Sequence, residues 1–240
     1  MKKSFRAIAG LMVVFFLAGS TPLRADDPAT LDARIQTARL VLGEIMVSPD
    51  QSIPEELLAK CKAIAIYPSV LKGAFIFGAR WGKGVVLTKG ADGKWGPVAF
   101  STIGGINWGL QIGGQANDVI LVVMNDRGLN ALLSSRSTLG ADASAAAGPV
   151  GRYSQAATDL TLQAGILSYS RSRGLFAGIA LDGAILTQDN NSNTAYYGKS
   201  LTSQDVLTGG AVKIKESSQG LVNSLNDFSS RWTEKVTKQA

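Results

Sequence analysis

Residues able to do chemistry are sparse in this chain, and what is missing narrows the field first. No histidine occurs among its 240 residues. Neither a Ser-His-Asp nor a Cys-His arrangement can therefore be assembled, and zinc sites of the usual His/Cys kind lack ligands. Asp126, Asp142, Asp159 and Asp182 are scattered, with no spacing that pairs two carboxylates for acid and base work, and they read as caps and turn residues. Gly82-Lys83-Gly84 lacks the third glycine of a dinucleotide fingerprint, and no segment matches GxxxxGK followed by Ser or Thr. Asp189, Asn191 and Asn193 mimic the first half of a calcium loop, yet Thr194 stands where glycine is needed and Ser200 where a bidentate glutamate belongs. A hairpin turn is the simpler expectation there. No catalytic group, cofactor or metal site is expected.

Cys61 is the sole cysteine, so an intramolecular disulfide is impossible. Its flanks, Lys60 and Lys62, could lower the thiol pKa. The alternative is a small buried residue at the entrance of a strand.

The remaining chemistry is cationic. The chain carries a formal net charge of +6, but Lys2, Lys3, Arg6 and Arg24 fall in the first 25 residues, which hold no acid. That segment has a basic start, an apolar run from Ala7 to Gly19 and a short polar end, the form of a secretory signal peptide. Export to the periplasm or beyond follows, with cleavage after Ala25 or after Ser20. The rest is left with 20 basic and 18 acidic residues, too balanced to argue for nucleic acid. Its charge is uneven, however. Residues 25–60 carry seven acids against three bases; residues 61–117 carry Lys62, Lys72, Arg80, Lys83, Lys89 and Lys94 against Asp92 alone. Lys72 and Arg80 fall on one face of an alternating run with Lys83 close by, a grouping suited to charge-assisted bonds with phosphate. The intramolecular alternative is that the acidic N-terminal region covers these bases.

The elements that must position them follow from periodicity. Leu31, Ile35, Ala38, Leu42 and Ile45 step along one helix face and predict a helix over 30–47. Ser52 and Glu55 form a capping-box pattern for a short second helix reaching Lys60, with Pro54 in its first turn. The period then changes to two. Ala63 to Tyr67 is a short strand halted by Pro68, and Lys72 to Trp81 is a strand with Phe75, Phe77 and Trp81 on one side. Strands over 85–88 and 95–101 flank Asp92-Gly93, a strong hairpin signal. Asp118 to Met124 is a β-branched run, after which Asn125-Asp126 caps a short helix with Leu129, Leu132 and Leu133. Leu160, Leu162, Ala164 and Ile166 alternate into a strand that ends at Ser170. Arg171 to Gly174 reads as a turn, Leu175 to Leu186 as another strand, and Asp189 to Asn193 as a polar loop. Leu221, Leu225, Phe228, Trp232 and Val236 give a C-terminal amphipathic helix.

The stretch STIGGINWGLQIGGQANDVILVVM, residues 101–124, raises a separate question, because Gly105, Gly109 and Gly113 recur as on a small-xxx-small membrane helix. Read in twos, Ile106, Trp108, Leu110 and Ile112 share one side, and Gly105, Asn107, Gly109, Gln111 and Gly113 share the other. A membrane helix would also put Asn107, Gln111, Gln115 and Asn117 into hydrocarbon. A strand is the better reading. Its bare glycine face is either packed by the N-terminal helix or left as a groove lined by Asn107 and Gln111.

Several segments resemble, in order and spacing, the SYLF domain family of lipid-binding modules. They are IPEELLAKCKAIAIYPSVLKGAFIFGARWGKGVV, DGKWGPVAF, GGINWGLQIGGQANDVILVVMN, LGADASAAAGPVGR and SYSRSRGLFAGIALDGA. The resemblance covers residues 29–207, between the leader at 1–25 and a linker with the C-terminal helix at 208–240. It implies a non-enzymatic domain that binds membranes, with Arg152, Arg171 and Arg173 of the matching motifs joining Lys72, Arg80 and Lys83 as phosphate contacts. The expected partner is an anionic lipid headgroup or membrane surface of a bacterial envelope; the alternative is another envelope protein held by the C-terminal helix or a sheet edge. The expected fold is α+β, a curved, glycine-rich antiparallel sheet for which a barrel is one way to close, with an N-terminal helical segment and a C-terminal helix. Nothing in the sequence fixes the sheet order or the oligomeric state.

Overall fold

A computed structural model describes residues 26–48, 50–74, 78–107, 113–151, 164–172 and 175–239, of which 72–74, 78, 106–107, 113–115, 172 and 239 are described through their backbone alone. The helices are α1 (Pro28–Val47), α2 (Glu55–Lys60), α3 (Asp126–Leu133), α4 (Asn190–Tyr197), α5 (Ser203–Leu207) and α6 (Glu216–Gln239). The strands are β1 (Ala63–Ala74), β2 (Gly78–Thr88), β3 (Ala99–Asn107), β4 (Gly113–Val123), β5 (Arg136–Thr138), β6 (Ala145–Ala147), β7 (Ile166–Ser172), β8 (Leu175–Gly178) and β9 (Ile185–Gln188).

α1 starts where local chemistry says it should. Asp27 accepts a hydrogen bond from the Thr30 amide at 2.7 Å, and Pro28 occupies the first turn, where its missing N–H costs nothing. The predicted stripe from Leu31 to Ile45 is buried, joined by Val41. The Ser52–Glu55 capping box does not form. Pro54 is the N-cap of α2 without a side-chain bond, and the Ser52 carbonyl instead accepts from the Gly151 amide at 3.0 Å. Glu55 and Glu56 still favour that helix start through its dipole.

The sheet runs β5-β9-β3-β2-β1-β4-β7-β6, with β8 also on β7. It is curled and, among the described strands, antiparallel except for the short β6, which lies parallel to β7. β6 pairs with residues 166–168 of β7 and β8 with residues 169–172, so the two share one edge in succession.

Both faces are buried at one end, which explains the unbroken apolar runs AIAIY and VILVV. Ile64, Ile66, Val85, Leu87, Phe100, Ile120 and Val122 pack beneath α1, α2 and α6. Ala63, Ala65, Tyr67, Val86, Ile103, Val119 and Leu121 fill the other side with Leu132, Leu186 and Val206. Gly84 is needed here: a Cβ would collide with the Tyr67 ring and the Ile66 carbonyl.

Several sequence expectations change. β1 does not stop at Pro68. The register shifts between Tyr67 and Val70, Ser69 takes φ 53°, and its amide donates to Asp118 Oδ1 at 2.9 Å. A bulge is where a strand tolerates proline. Lys72 to Trp81 is not one strand but parts of two antiparallel ones. Residues 105–113 are likewise divided, because β3 and β4 run in opposite directions, and Trp108 to Ile112 lie outside the described residues. Arg171 belongs to β7, not to a turn. Leu175 to Leu186 splits into β8 and β9 around Asp182-Gly183, where Gly183 has φ 76°. The polar run after Asp189 is α4, capped by Asp189, which accepts from the Ser192 amide at 3.1 Å.

The two most specific family-like motifs meet as packing. A Cβ on Gly148 of AAGPVGR would enter the ring of Tyr169 in SYSRSRGLFAG, and a Cβ on Gly178 of the same motif would enter the Gly148 carbonyl. Their glycines are there because backbone passes against ring and backbone.

Candidate functional site

At the end of the sheet away from Ala63, strand register gathers residues that the sequence separates. One row is Ala116–Leu71–Trp81–Gly104 across β4, β1, β2 and β3, and the next is Gln115–Lys72–Arg80–Gly105. The two rows beyond are Gly114–Gly73–Ala79–Ile106 and Gly113–Ala74–Gly78–Asn107. Six of these sixteen positions are glycine, so this end has little side-chain bulk with which to build a core. Leu71 is 57% exposed and Trp81 49%, an apolar cross-strand pair in the open.

The period of two distributes the candidate cations between faces. Trp81 and Lys83 alternate with Val85 onto the face that α1 covers, while Arg80 alternates to the other. Lys83 donates to Asp26 Oδ2 at 2.6 Å and lies 5.9 Å from the Trp81 ring centroid. Arg34 of α1 bonds the same Asp26 oxygen. Burial pushes the Asp26 carboxyl up, but the bonds from Lys83 and Arg34 outweigh it and hold the group below its usual 3.8. Arg171 pairs with Glu44 of α1 and with Asp118 at 3.2 Å, over the Phe176 ring at 5.6 Å. The acidic N-terminal region thus does cover two of the cations, Lys83 and Arg171. Arg80 is half-buried, and burial lowers its guanidinium pKa without discharging it.

Lys72 is placed by its backbone, opposite Arg80; Asn107 likewise ends β3 opposite Gly78. Arg152, Arg173 and Gln111 lie outside the described residues. The register therefore brings Lys72 and Arg80 together, with Lys83 near them on the opposite face, and puts Arg171 on β7 beyond β4. Gly105 is not packed by the N-terminal helix. A Cβ there would stand 3.2 Å from the Gly183 carbonyl oxygen and 3.3 Å from Ala184 Cα, because the turn into β9 crosses it.

The exposed Leu71–Trp81 pair was not singled out from the sequence. Its signal was the bulky alternation ending at Trp81, but exposure depends on how far α1 reaches. Cys61 is settled as buried: its thiol bonds the Leu58 carbonyl at 3.3 Å, and burial pushes its pKa up to about 12 despite the neighbouring Lys89. Among the described residues, no cluster of His, Cys, Asp or Glu could hold a metal, and no helix is long and apolar enough to cross a membrane.

A curled sheet clasped by α1 and α6, with an exposed apolar pair and a cation row at its glycine-rich end, has the form of a binding domain. The family model Ysc84, described as Las17-binding protein actin regulator, matches residues 104–228. SH3 domain-containing YSC84-like protein 1 of Rattus norvegicus is 32% identical over 211 residues, covering 85% of this chain and 62% of the rat protein. The Homo sapiens protein of that name is 31% identical over 211 residues, covering 85% of this chain and 61% of the human one. Protein YSC84 of Saccharomyces cerevisiae is 30% identical over 214 residues, covering 86% of this chain and 45% of the yeast protein. The chain belongs to the Ysc84, or SYLF, family. It spans about three fifths of the length of these vertebrate relatives, and none of the three is named for a catalytic activity.

Proposed function

We propose that this chain is an exported, non-enzymatic protein that binds the anionic phospholipid headgroups of a bacterial envelope peripherally, through the glycine-rich end of its sheet. The observation that carries this reading is the exposed Leu71–Trp81 pair with the Lys72–Arg80 row next to it, successive rows that fall on alternate faces of one glycine-rich sheet end and would meet the headgroups end-on. An indole at the surface suits the headgroup level of a bilayer. Apolar surface removed from water there contributes about 25 cal/mol per Å², and a cation near an anionic surface about 1 kcal/mol. Export is supported by the form of residues 1–25.

Co-sedimentation with vesicles tests it. The full chain should pellet with phosphatidylglycerol vesicles at low salt, less with phosphatidylcholine alone, and should be released as salt screens the contact. The double variant Lys72→Gln/Arg80→Gln should bind on the order of ten-fold more weakly, the loss of about 1.4 kcal/mol. No pelleting at low salt, or pelleting unchanged by the double variant, sinks the reading.

The alternative, an envelope protein held by the C-terminal helix, has less surface to work with. Leu221, Val222 and Leu225 are buried in the core, and α6 is tied down by Lys235–Glu55 at 2.5 Å and by Trp95 Nε1 donating to Ser229 Oγ at 3.0 Å.

A further inference from the structure

A cleft of about 430 Å³ opens beside Trp81, on the face that α1 covers. Trp81 and Lys83 form one wall, Asp26 another, and Gln188, Asn190 and Asn191 from the end of β9 and the start of α4 form the rim. The chemistry of this wall differs from that of the Lys72–Arg80 row. Among the described residues its lining cation, Lys83, shares Asp26 with Arg34, and Asp189 adds a second carboxylate. The charges balance, so a phosphate entering here would meet no excess of positive charge.

What the cleft does offer is an indole ring, half open to solvent, and polar groups held in place with bonding capacity to spare. Asp26 is fixed through Oδ2 by Lys83 and Arg34, leaving Oδ1 to accept. Asn190 Oδ1 accepts from the Ser203 amide at 3.1 Å, which points its NH₂ as a donor. Gln188 donates through Nε2 to the Leu133 carbonyl, which leaves its Oε1 as an acceptor. The side chain of Asn191 is exposed at the rim and makes no bond among the described residues. An aromatic face with planar amide and carboxylate groups around it matches one ligand chemistry well. The C–H face of a sugar ring stacks on the indole while its hydroxyls, each donor and acceptor, bond to fixed polar groups. Because those groups are already ordered, little freedom is lost on binding.

We infer that the Trp81 cleft is a binding site for an uncharged saccharide ring, borne by a free glycan or by a glycolipid headgroup. It shares Trp81 with the phospholipid reading but uses neither Lys72 nor Arg80, so the Lys72→Gln/Arg80→Gln variant and binding of a soluble oligosaccharide separate the two.

Full chain titrated with maltotetraose and with chitotetraose, followed by tryptophan fluorescence and calorimetry, tests this directly. A second arm uses phosphatidylcholine vesicles containing monoglucosyl diacylglycerol. Saturable binding of at least one probe is expected, weakened about ten-fold in Trp81→Ala and several-fold in Asn191→Ala, and unchanged in Lys72→Gln/Arg80→Gln. Binding of a soluble oligosaccharide identifies a free glycan as the source; binding to glucolipid vesicles alone identifies a headgroup. The inference is overturned if no probe binds, if Trp81→Ala and Asn191→Ala with native circular dichroism bind as well as the parent, or if the Lys72/Arg80 variant abolishes the signal.

Discussion

The four central strands run from a closed end to an open one. Around Ile64 and Ile66 successive rows carry apolar side chains alternately to the two faces, with α1, α2 and α6 over one side and α3, α5, β9 and their connections over the other. Around Leu71 and Ala74 the same strands carry glycine at six of sixteen positions and leave Leu71 and Trp81 in the open. Hydrogen bonding between the strands is continuous through both ends except at the Pro68-Ser69 bulge. What differs is side-chain volume, and with it whether burial offsets the entropy of ordering the chain. The buried apolar volume that offsets this entropy lies at the closed end.

Truncation at each end gives the largest contrast. Ile66→Ala removes a fully buried side chain and should cost about 2–5 kcal/mol. Leu71→Ala should stay within about 0.5 kcal/mol, as expected for an exposed site. Urea unfolding of the two variants measures both, and similar losses would erase the distinction. Enlarging a glycine is the converse experiment. Gly84→Ala drives a methyl group into the Tyr67 ring and should cost about 1–3 kcal/mol. At Gly104 the nearest atom to an added Cβ is the Arg80 carbonyl oxygen, an ordinary contact at 3.8 Å, so Gly104→Ala should be neutral within about 0.5 kcal/mol.

The smallest effect tests the N-terminal acid laid over Lys83. Asp26→Asn should lower stability at neutral pH by less than about 1 kcal/mol, since the pair is partly exposed. Because the folded-state pKa of Asp26 lies below its ordinary 3.8, its contribution is present above that value and is lost as pH falls through the folded one. The parent should therefore lose stability relative to Asp26→Asn below about pH 4. Parallel curves for the two proteins across the acid range would show that the pair contributes nothing.

Much of the closed end was legible beforehand. The stripe of α1, the Asn125 cap of α3, the Asp92-Gly93 hairpin and the long C-terminal helix are local patterns, and each formed. α4 was not legible, because Asn and Ser are weak helix formers and read as loop. Tertiary bonds decide it: Asn193 accepts from the Phe100 amide at 2.8 Å and donates to Ser203 Oγ at 3.0 Å, holding the segment against β3. The candidate site was legible as a set of cations and an alternating aromatic run. Which strand opposed which was not, and neither was the split between faces that gives Lys83 to Asp26 and Arg171 to Glu44.

By itself the sequence determined the periods of its elements, the absence of histidine chemistry, and the separation of an acidic N-terminal stretch from a basic block. These follow from composition and from backbone geometry that repeats every 2 or 3.6 residues. Only the tertiary structure decided where a strand turns back, that Leu71 and Trp81 stand together uncovered, and which cations are matched by acids. Register and burial are set by contacts between segments distant in the chain, and a shift of one residue moves every side chain of a strand to its other face.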